Sequence, residues 1–271
     1  FVDRFESQGK TFKNNPKLYE ETAKYINNIT GKGDLGKLDQ FAPVFNALMF
    51  SPRLMASRIN LLNPYYFAKL PKELKWQYGK DMGSALALGS TLLSLFVLYG
   101  MTQKDDDKNK ITVETDPRST DFGRIKQGNT RWDIWGGFQP YVRLAAQIGY
   151  GEKKSTKTGL MQSLEGEGPY GQTRGEVLST FARGKLAPVP AMAVDLIQGR
   201  NAIGEKVELQ DELLSHIIPL SSQAIYEGVK EYGPKGAALA GLPAIFGVGV
   251  QSYAPKEKEV KDEIKWEDRK I

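Results

Sequence analysis

SALALGSTLLSLFVLYG at residues 84–100 forms the centre of the longest uncharged stretch of the chain, which extends over residues 82–103. A helix over these 22 residues would be about 33 Å long at 1.5 Å per residue, roughly the thickness of the hydrocarbon core of a bilayer. The sequence therefore predicts one long apolar helix that could meet a membrane. The side chains predicted to enter the membrane are Met82, Leu86, Leu92, Leu93, Phe96, Val97 and Tyr99.

The same stretch is rich in small residues, which leaves a second interpretation open. Gly83, Ala87, Gly89 and Ser90 would let another helix backbone approach closely, as small residues do in membrane bundles. Glycines and hydroxyl groups also lower the hydrophobicity of the stretch. A central helix buried in a soluble or assembled protein would have the same composition.

Composition excludes several classes of site. The 271-residue chain has no cysteine, which excludes disulfides, thiolate metal sites and cysteine nucleophiles. Its single histidine, His216, lies in an apolar run ending at Pro219, a pattern that favours a packed side chain over a catalytic one. The three aspartates at residues 105–107 lack the alternating ligand spacing of a calcium loop. We therefore predict neither a metal nor a cofactor.

Basic residues slightly outnumber acidic ones, 37 to 32, which gives a formal net charge of +5. This excess permits non-specific attraction to DNA but does not demonstrate it. The side chains predicted to contact a partner or phosphate groups are Arg53, Arg58, Lys69, Lys72, Lys75, Arg131 and Arg143. For Arg53 and Arg58 an ion pair within the chain is the favoured alternative. The three lysines lie in the aromatic segment 64–76, a mixture that anchors proteins at a membrane surface and also covers ordinary helices.

Apolar spacing predicts a mainly α fold with several helices, one of them long and apolar, and a small β-hairpin around residues 111–135. Helices are expected at residues 16–26, 41–49, 52–62, 140–148, 176–183 and 191–198, and a long loop at residues 150–175. A second apolar stretch, residues 236–250, is interrupted by Pro243 and is not predicted to span a membrane. The predicted divisions are an N-terminal helical arm at 1–40, a helical region at 41–110 containing the apolar helix 82–103, a mixed hairpin and helical region at 111–253, and a charged tail at 254–271.

Five short signatures occur in a fixed order along the chain. They are FSPR followed by ASR within residues 50–58, DFGRI at 121–125, GNTRWDIWGGF at 128–138, RGKLAPVP at 183–190 and FGVGVQSY at 246–253. In this order they resemble the C-terminal region of the large multidomain, polyvalent internal or ejection proteins of tailed bacteriophages, and the resemblance covers roughly residues 40–253.

The resemblance implies a role in the virion. Such proteins are packaged inside the capsid, are released with the genome, and in some phages assemble a conduit through the bacterial envelope. The implied partners are other virion proteins (portal, tail or other ejection proteins), further copies of the chain, non-specific DNA and the host membrane. The implied location is the virion interior and, after ejection, the host cell envelope. No catalytic residue carries over to this chain.

The leading hypothesis is a structural, non-catalytic module of a phage internal virion protein that assembles near the portal or tail and assists genome delivery. One alternative is a soluble hydrolase domain whose acid and base would come from Glu165, Glu167 and Glu176, although such glutamates are usually a solvated surface. Another is a cellular integral-membrane protein. Because the chain begins at Phe1 without an initiator methionine, we expect a cleavage product or the ordered part of a longer polypeptide.

Overall fold

A computed structural model describes residues 1–156, 158–166, 171–199, 229 and 248–252. The predictions for Glu167, for His216, for residues 236–247 of the second apolar stretch and for the charged tail 254–271 lie outside these residues.

The described residues are mainly helical, with one long apolar helix and a small antiparallel sheet, so the predicted fold class is confirmed. The helices are α1 Val2–Ser7, α2 Pro16–Ile29, α3 Ala42–Leu48, α4 Pro52–Leu62, α5 Pro64–Lys69, α6 Lys72–Met101, α7 Gln139–Tyr150, α8 Arg174–Arg183 and α9 Pro188–Gln198. The strands are β1 Ile111–Val113, β2 Ile125–Gln127, β3 Thr130–Asp133, β4 Glu152–Lys154, β5 Met161–Ser163 and β6 Gly249–Ser252.

Proline begins several of these helices because its fixed φ suits the first helical position and its missing N–H is not needed there. Pro16, Pro52 and Pro64 occupy that position in α2, α4 and α5. Ser51 precedes α4 as predicted, but it takes a left-handed conformation with φ 50° and its side chain makes no capping hydrogen bond. Asn63 does cap α5, because its side chain accepts a hydrogen bond from the N–H of Tyr65.

Apolar spacing predicts that Leu18, Thr22, Tyr25 and Ile26 share one face of α2, and the buried face differs from this prediction at one position. Leu18, Thr22 and Tyr25 are buried as expected, but Ile26 is exposed and Asn28 is buried instead. The Asn28 amide donates to the hydroxyl of Tyr66 at 2.9 Å, and its carbonyl accepts from the amide of Asn60 at 3.2 Å. A buried amide is tolerated when it is hydrogen-bonded in this way, and apolar spacing alone does not reveal such partners.

Gly33 allows the chain to pass close to α4 after α2 ends. Its N–H donates to the carbonyl of Arg53 at 3.0 Å, and a Cβ at this position would lie 2.2 Å from the backbone nitrogen of Ser57. Only glycine fits at such a close approach of two backbones. The glycine-rich linker read from the sequence thus permits the contact of α2 with α4.

The four-stranded antiparallel sheet has the order β1-β2-β3-β6. The predicted hairpin is confirmed in β2 and β3, where Gln127 pairs with Thr130. The turn is therefore only Gly128-Asn129, and Gly128 has the positive φ of 52° that such tight turns require. Strand β6 pairs with β3 from far along the chain, and no local pattern predicted this partner.

The prediction of a long loop over residues 150–175 is wrong in its first half. Strands β4 and β5 form an antiparallel hairpin there, with Glu152 opposite Ser163 and Lys154 opposite Met161. Glu152–Lys154 has no apolar alternation, so the pattern that predicts a half-buried strand is missing. Helix α8 also begins two residues earlier than predicted, at Arg174, and α9 begins at Pro188 rather than at residue 191.

The chain forms two compact units, each assembled from two separate parts of the sequence. One comprises Phe1–Thr91 with Pro140–Ile217, and the other Leu92–Gln139 with Ile218–Ile271. The division into four consecutive regions stays a prediction.

Candidate membrane-inserting helix

Helix α6 begins ten residues before the predicted apolar stretch, and this first part, residues 72–81, is held by other helices. Leu74 is fully buried. Glu73 forms an ion pair with Lys10 at 2.7 Å. The hydroxyl of Tyr78 donates to the carbonyl of Leu61. Packing, an ion pair and a hydrogen bond therefore fix this part of α6 to residues that precede it.

Asp81 is the last charged residue before the apolar stretch, and two side chains bind its carboxylate. The hydroxyl of Tyr25 donates to Oδ2 at 2.6 Å, and the amide of Gln77 donates to Oδ1 at 2.7 Å. Burial, together with the hydrogen bond to Asp81, raises the pKa of Tyr25. The phenol consequently stays protonated as a donor, and the carboxylate is hydrogen-bonded at the point where the helix becomes apolar.

The rest of α6, residues 82–101, has an entirely different environment. Residues 83–88 are all exposed, and six successive residues point in every direction around a helix. Only 6 % of the most apolar 18-residue window of α6 is buried. The residues that the structure describes therefore leave most of this part of the helix exposed, although Gly89 and Gly100 are buried.

The residues predicted to enter the membrane all lie on this uncovered part. Leu86, Leu92 and Tyr99 are exposed, whereas the remaining four, Met82, Leu93, Phe96 and Val97, are half-buried. Four further apolar side chains of this part were not predicted to enter the membrane and are more exposed than Leu86 or Leu92. They are Leu88, Leu95, Leu98 and Met101. All four belong to the same uncharged stretch. The absence of charge over the whole stretch is therefore the sequence feature that predicts them.

Among the described residues α6 is the one helix long and apolar enough to cross a membrane. The core helix of a soluble protein passes the same test of length and composition but would be mostly buried in its own chain. Burial inside a larger assembly remains compatible with the exposure of residues 82–101.

A basic-aromatic shoulder, which we define as Tyr65, Phe67, Lys69, Lys72, Lys75 and Trp76, lies on α5 and the first turns of α6. The ammonium group of Lys69 lies 4.1 Å from the ring centroid of Tyr65, and that of Lys75 lies 5.9 Å from the centroid of Phe67. Trp76 is 69 % exposed. Exposed aromatic rings and lysines at the end of an apolar helix are the side chains that settle at the level of lipid headgroups.

The four arginines predicted as partner contacts lie outside the shoulder. Arg53 pairs with Asp39 at 2.6 Å, and the Nε of Arg131 lies 3.0 Å from Asp121. Asp121 is thereby engaged by an arginine. The charges of these two arginines are thus paired within the chain.

The other two predicted arginines, Arg58 and Arg143, lie near Tyr141 on α7. Burial lowers the pKa of Arg58, and Tyr141 opposes that shift. Burial and the charge of Arg143 lower the pKa of Lys185, whose ammonium group lies 5.3 Å from the ring centroid of Tyr141. Several basic groups are therefore crowded and partly desolvated in this part of the molecule.

Of the carboxylates considered for hydrolysis, Glu165 and Glu176 lie within the described residues. The Glu176 side chain accepts a hydrogen bond from the N–H of Thr173 at 2.7 Å, and the two residues form the capping box of α8. Glu165 is exposed. The described residues contain no group of three His, Cys, Asp or Glu side chains that could hold a metal ion.

Comparisons of the chain with protein-family models, with curated proteins and with solved structures find no match.

Proposed function

We propose that this chain is a structural, non-catalytic module of an internal virion (ejection) protein of a tailed bacteriophage, which assembles near the portal or tail and helps to deliver the genome across the host envelope. Its α6 enters the host membrane during that step. The order of the five sequence signatures supports the phage part of the proposal. Before ejection, other virion proteins or further copies of the chain cover the helix, and neighbouring DNA is attracted without sequence preference.

The uncovered part of α6 carries the membrane part of the proposal. Full burial of one leucine side chain is worth about 1.5–3 kcal/mol, and Leu86, Leu88, Leu92, Leu95 and Leu98 are all exposed. A helix with so much exposed apolar surface gains stability from any apolar environment that surrounds it. A bilayer core provides such an environment along about 30 Å, and residues 82–101 match that length at 1.5 Å per residue.

Two measurements test the proposal. Flotation with anionic vesicles, followed by proteolysis from outside, is expected to show vesicle association and protection of residues 82–101. Immunodetection in purified phage particles is expected to find the chain together with portal or tail proteins. A purified oligomer that neither binds vesicles nor associates with virion proteins would refute the proposal.

A cellular integral-membrane protein is the second candidate, and the same uncovered helix supports it. The two differ in how the native protein is extracted. A cellular membrane protein leaves its source only with detergent, whereas a virion protein leaves disrupted particles without detergent, since its apolar helix is covered by neighbouring subunits until ejection.

A further inference from the structure

Backbone hydrogen bonds join residues that precede α6 to residues that follow it. Met49 and Leu186 form an antiparallel bridge. The N–H of Phe50 donates to the carbonyl of Lys185, and the N–H of Ala187 donates to the carbonyl of Leu48, both at 2.9 Å. We call this pairing of residues 48–50 with residues 185–187 the clasp. It lies within one compact unit.

The chain between α6 and the clasp contains no second segment that could return across a membrane. Residues 102–138 contain β1, β2, β3 and connecting turns. The 12 residues of α7 are about 18 Å long, and the 10 residues of α8 are about 15 Å long, against a hydrocarbon core of about 30 Å. Residue 157 and residues 167–170 lie outside the described part, and four extended residues reach only about 14 Å.

A single crossing by α6 would therefore place residues 185–187 on the opposite side of the bilayer from residues 48–50. The clasp requires these two segments to be in direct contact. An intact clasp and a single crossing exclude each other, because no described segment between α6 and the clasp is long enough to bring the chain back across the bilayer.

From this contradiction, and resting on the proposed function, we infer that the clasped chain docks on an anionic bilayer surface through the basic-aromatic shoulder, and that α6 crosses the bilayer only after the clasp opens. The lysines of the shoulder select phosphate headgroups of anionic lipids, and its exposed rings settle at the same depth. The structure described above is then the form that precedes insertion.

The backbone pairing of the clasp contributes little stability by itself. A backbone hydrogen bond contributes about 0.5–1.5 kcal/mol net, and the clasp has two. Met49 and Leu186 are only half-buried. The like charge of Arg143, which helps to lower the pKa of Lys185, disfavours the packing of that lysine in the closed form. Transfer of the uncovered leucines into lipid exceeds these contributions.

A disulfide across the clasp tests this order of events. In an antiparallel pair flanked by hydrogen bonds on both sides, the facing Cα atoms lie about 4.5 Å apart, within the range of disulfides. The variant Met49→Cys/Leu186→Cys locks the clasp when oxidised and frees it when reduced, and the chain has no cysteine of its own to interfere. Glu152→Cys/Ser163→Cys is the matched control, since it links β4 to β5 and both strands follow α6.

The assay uses vesicles of phosphatidylethanolamine and phosphatidylglycerol, with trypsin added outside and cleavage after Lys104, Lys108 and Lys110 read by mass spectrometry. The oxidised clasp variant should float with the vesicles but lose all protection at these lysines, whereas the reduced variant and both forms of the control should be protected. Protection in the oxidised clasp variant overturns the inference and leaves the proposed function standing. Absence of protection in the reduced variant and the control overturns the membrane step itself, and with it the inference. Failure of the oxidised variant to float overturns docking by the shoulder.

Discussion

Residues 72–81 and residues 82–101 belong to one continuous helix, α6, yet the two parts differ in how far other residues pack against them. In the first part Leu74 is fully buried, Glu73 forms an ion pair with Lys10, and Asp81 accepts a hydrogen bond from Tyr25. The second part has no charge, and most of its leucines face outward. The difference shows that two parts of one continuous helix can have different roles, depending on which side chains pack against each part. The first part of α6 anchors the helix in a folded unit. The second part exposes apolar side chains that another partner can cover.

The largest expected effect is the difference in folding stability between matched truncations in the two parts. Leu74→Ala should lower the free energy of unfolding by about 2–5 kcal/mol, because it leaves a cavity in a closed core. Leu88→Ala, at a side chain that is 64 % exposed, should change it by less than about 0.5 kcal/mol. Urea unfolding followed by circular dichroism measures both. Equal losses would mean that the second part is also packed in the folded unit.

A charge in the second part should abolish insertion without unfolding the protein. Leu88→Arg places an arginine near the middle of residues 82–101, where a bilayer penalises it by about 2.5–3.5 kcal/mol. The fraction protected in vesicles should fall on the order of 100-fold, since 1.4 kcal/mol is about tenfold. Leu88→Ala serves as the control and should keep most of the protection. Unchanged protection of the arginine variant would exclude α6 as the inserting segment.

The hydrogen bond from Tyr25 to Asp81 lies where the two parts meet. Tyr25→Phe should lower the free energy of unfolding by about 1.5–3 kcal/mol, because the carboxylate loses one of its two donors. The raised pKa of Tyr25 also predicts a pH dependence. The stabilisation by the protonated phenol is complete below its ordinary pKa of about 10 and is lost as the pH rises toward the raised pKa.

Unfolding titrations at several alkaline pH values measure that dependence. The wild-type free energy should fall more steeply above about pH 10 than that of Tyr25→Phe. Identical slopes would show that the phenol of Tyr25 contributes no linkage.

The smallest expected effect concerns the shoulder. Lys72→Gln should weaken binding to anionic vesicles by about 1 kcal/mol, roughly fivefold, and added salt should reduce the difference. Binding to neutral vesicles should not change. Lys17→Gln removes an exposed charge from α2 and is the matched control. An equal loss from both substitutions would point to net charge rather than to the shoulder.

Predictions from the sequence succeeded where the signal is local. Prolines and apolar spacing located α2, α4 and α7. Turn residues predicted a turn at residues 126–129, of which only Gly128 and Asn129 lie between β2 and β3, because Lys126 and Gln127 belong to β2. The predictions failed where the partner is remote or polar. The pairing of β6 with β3, the hairpin of β4 with β5 and the burial of Asn28 each depend on a contact that no periodicity encodes.

The candidate site divides in the same way. The uncharged stretch was read from composition alone, since nothing but the absence of charge over some twenty residues is needed to match a bilayer. The pairing of Arg53 and Arg131 was decided only by the tertiary structure, because it depends on where Asp39 and Asp121 lie in the fold.

The sequence by itself determined that this protein has a long apolar helix, a mainly helical fold and no cysteine chemistry, because these follow from residue types and their spacing along the chain. Only the tertiary structure decided that residues 72–81 are anchored while most of residues 82–101 are exposed, and that the clasp joins the chain before α6 to the chain after it. Burial and backbone pairing are properties of neighbours in space, and those neighbours come from distant positions in the sequence.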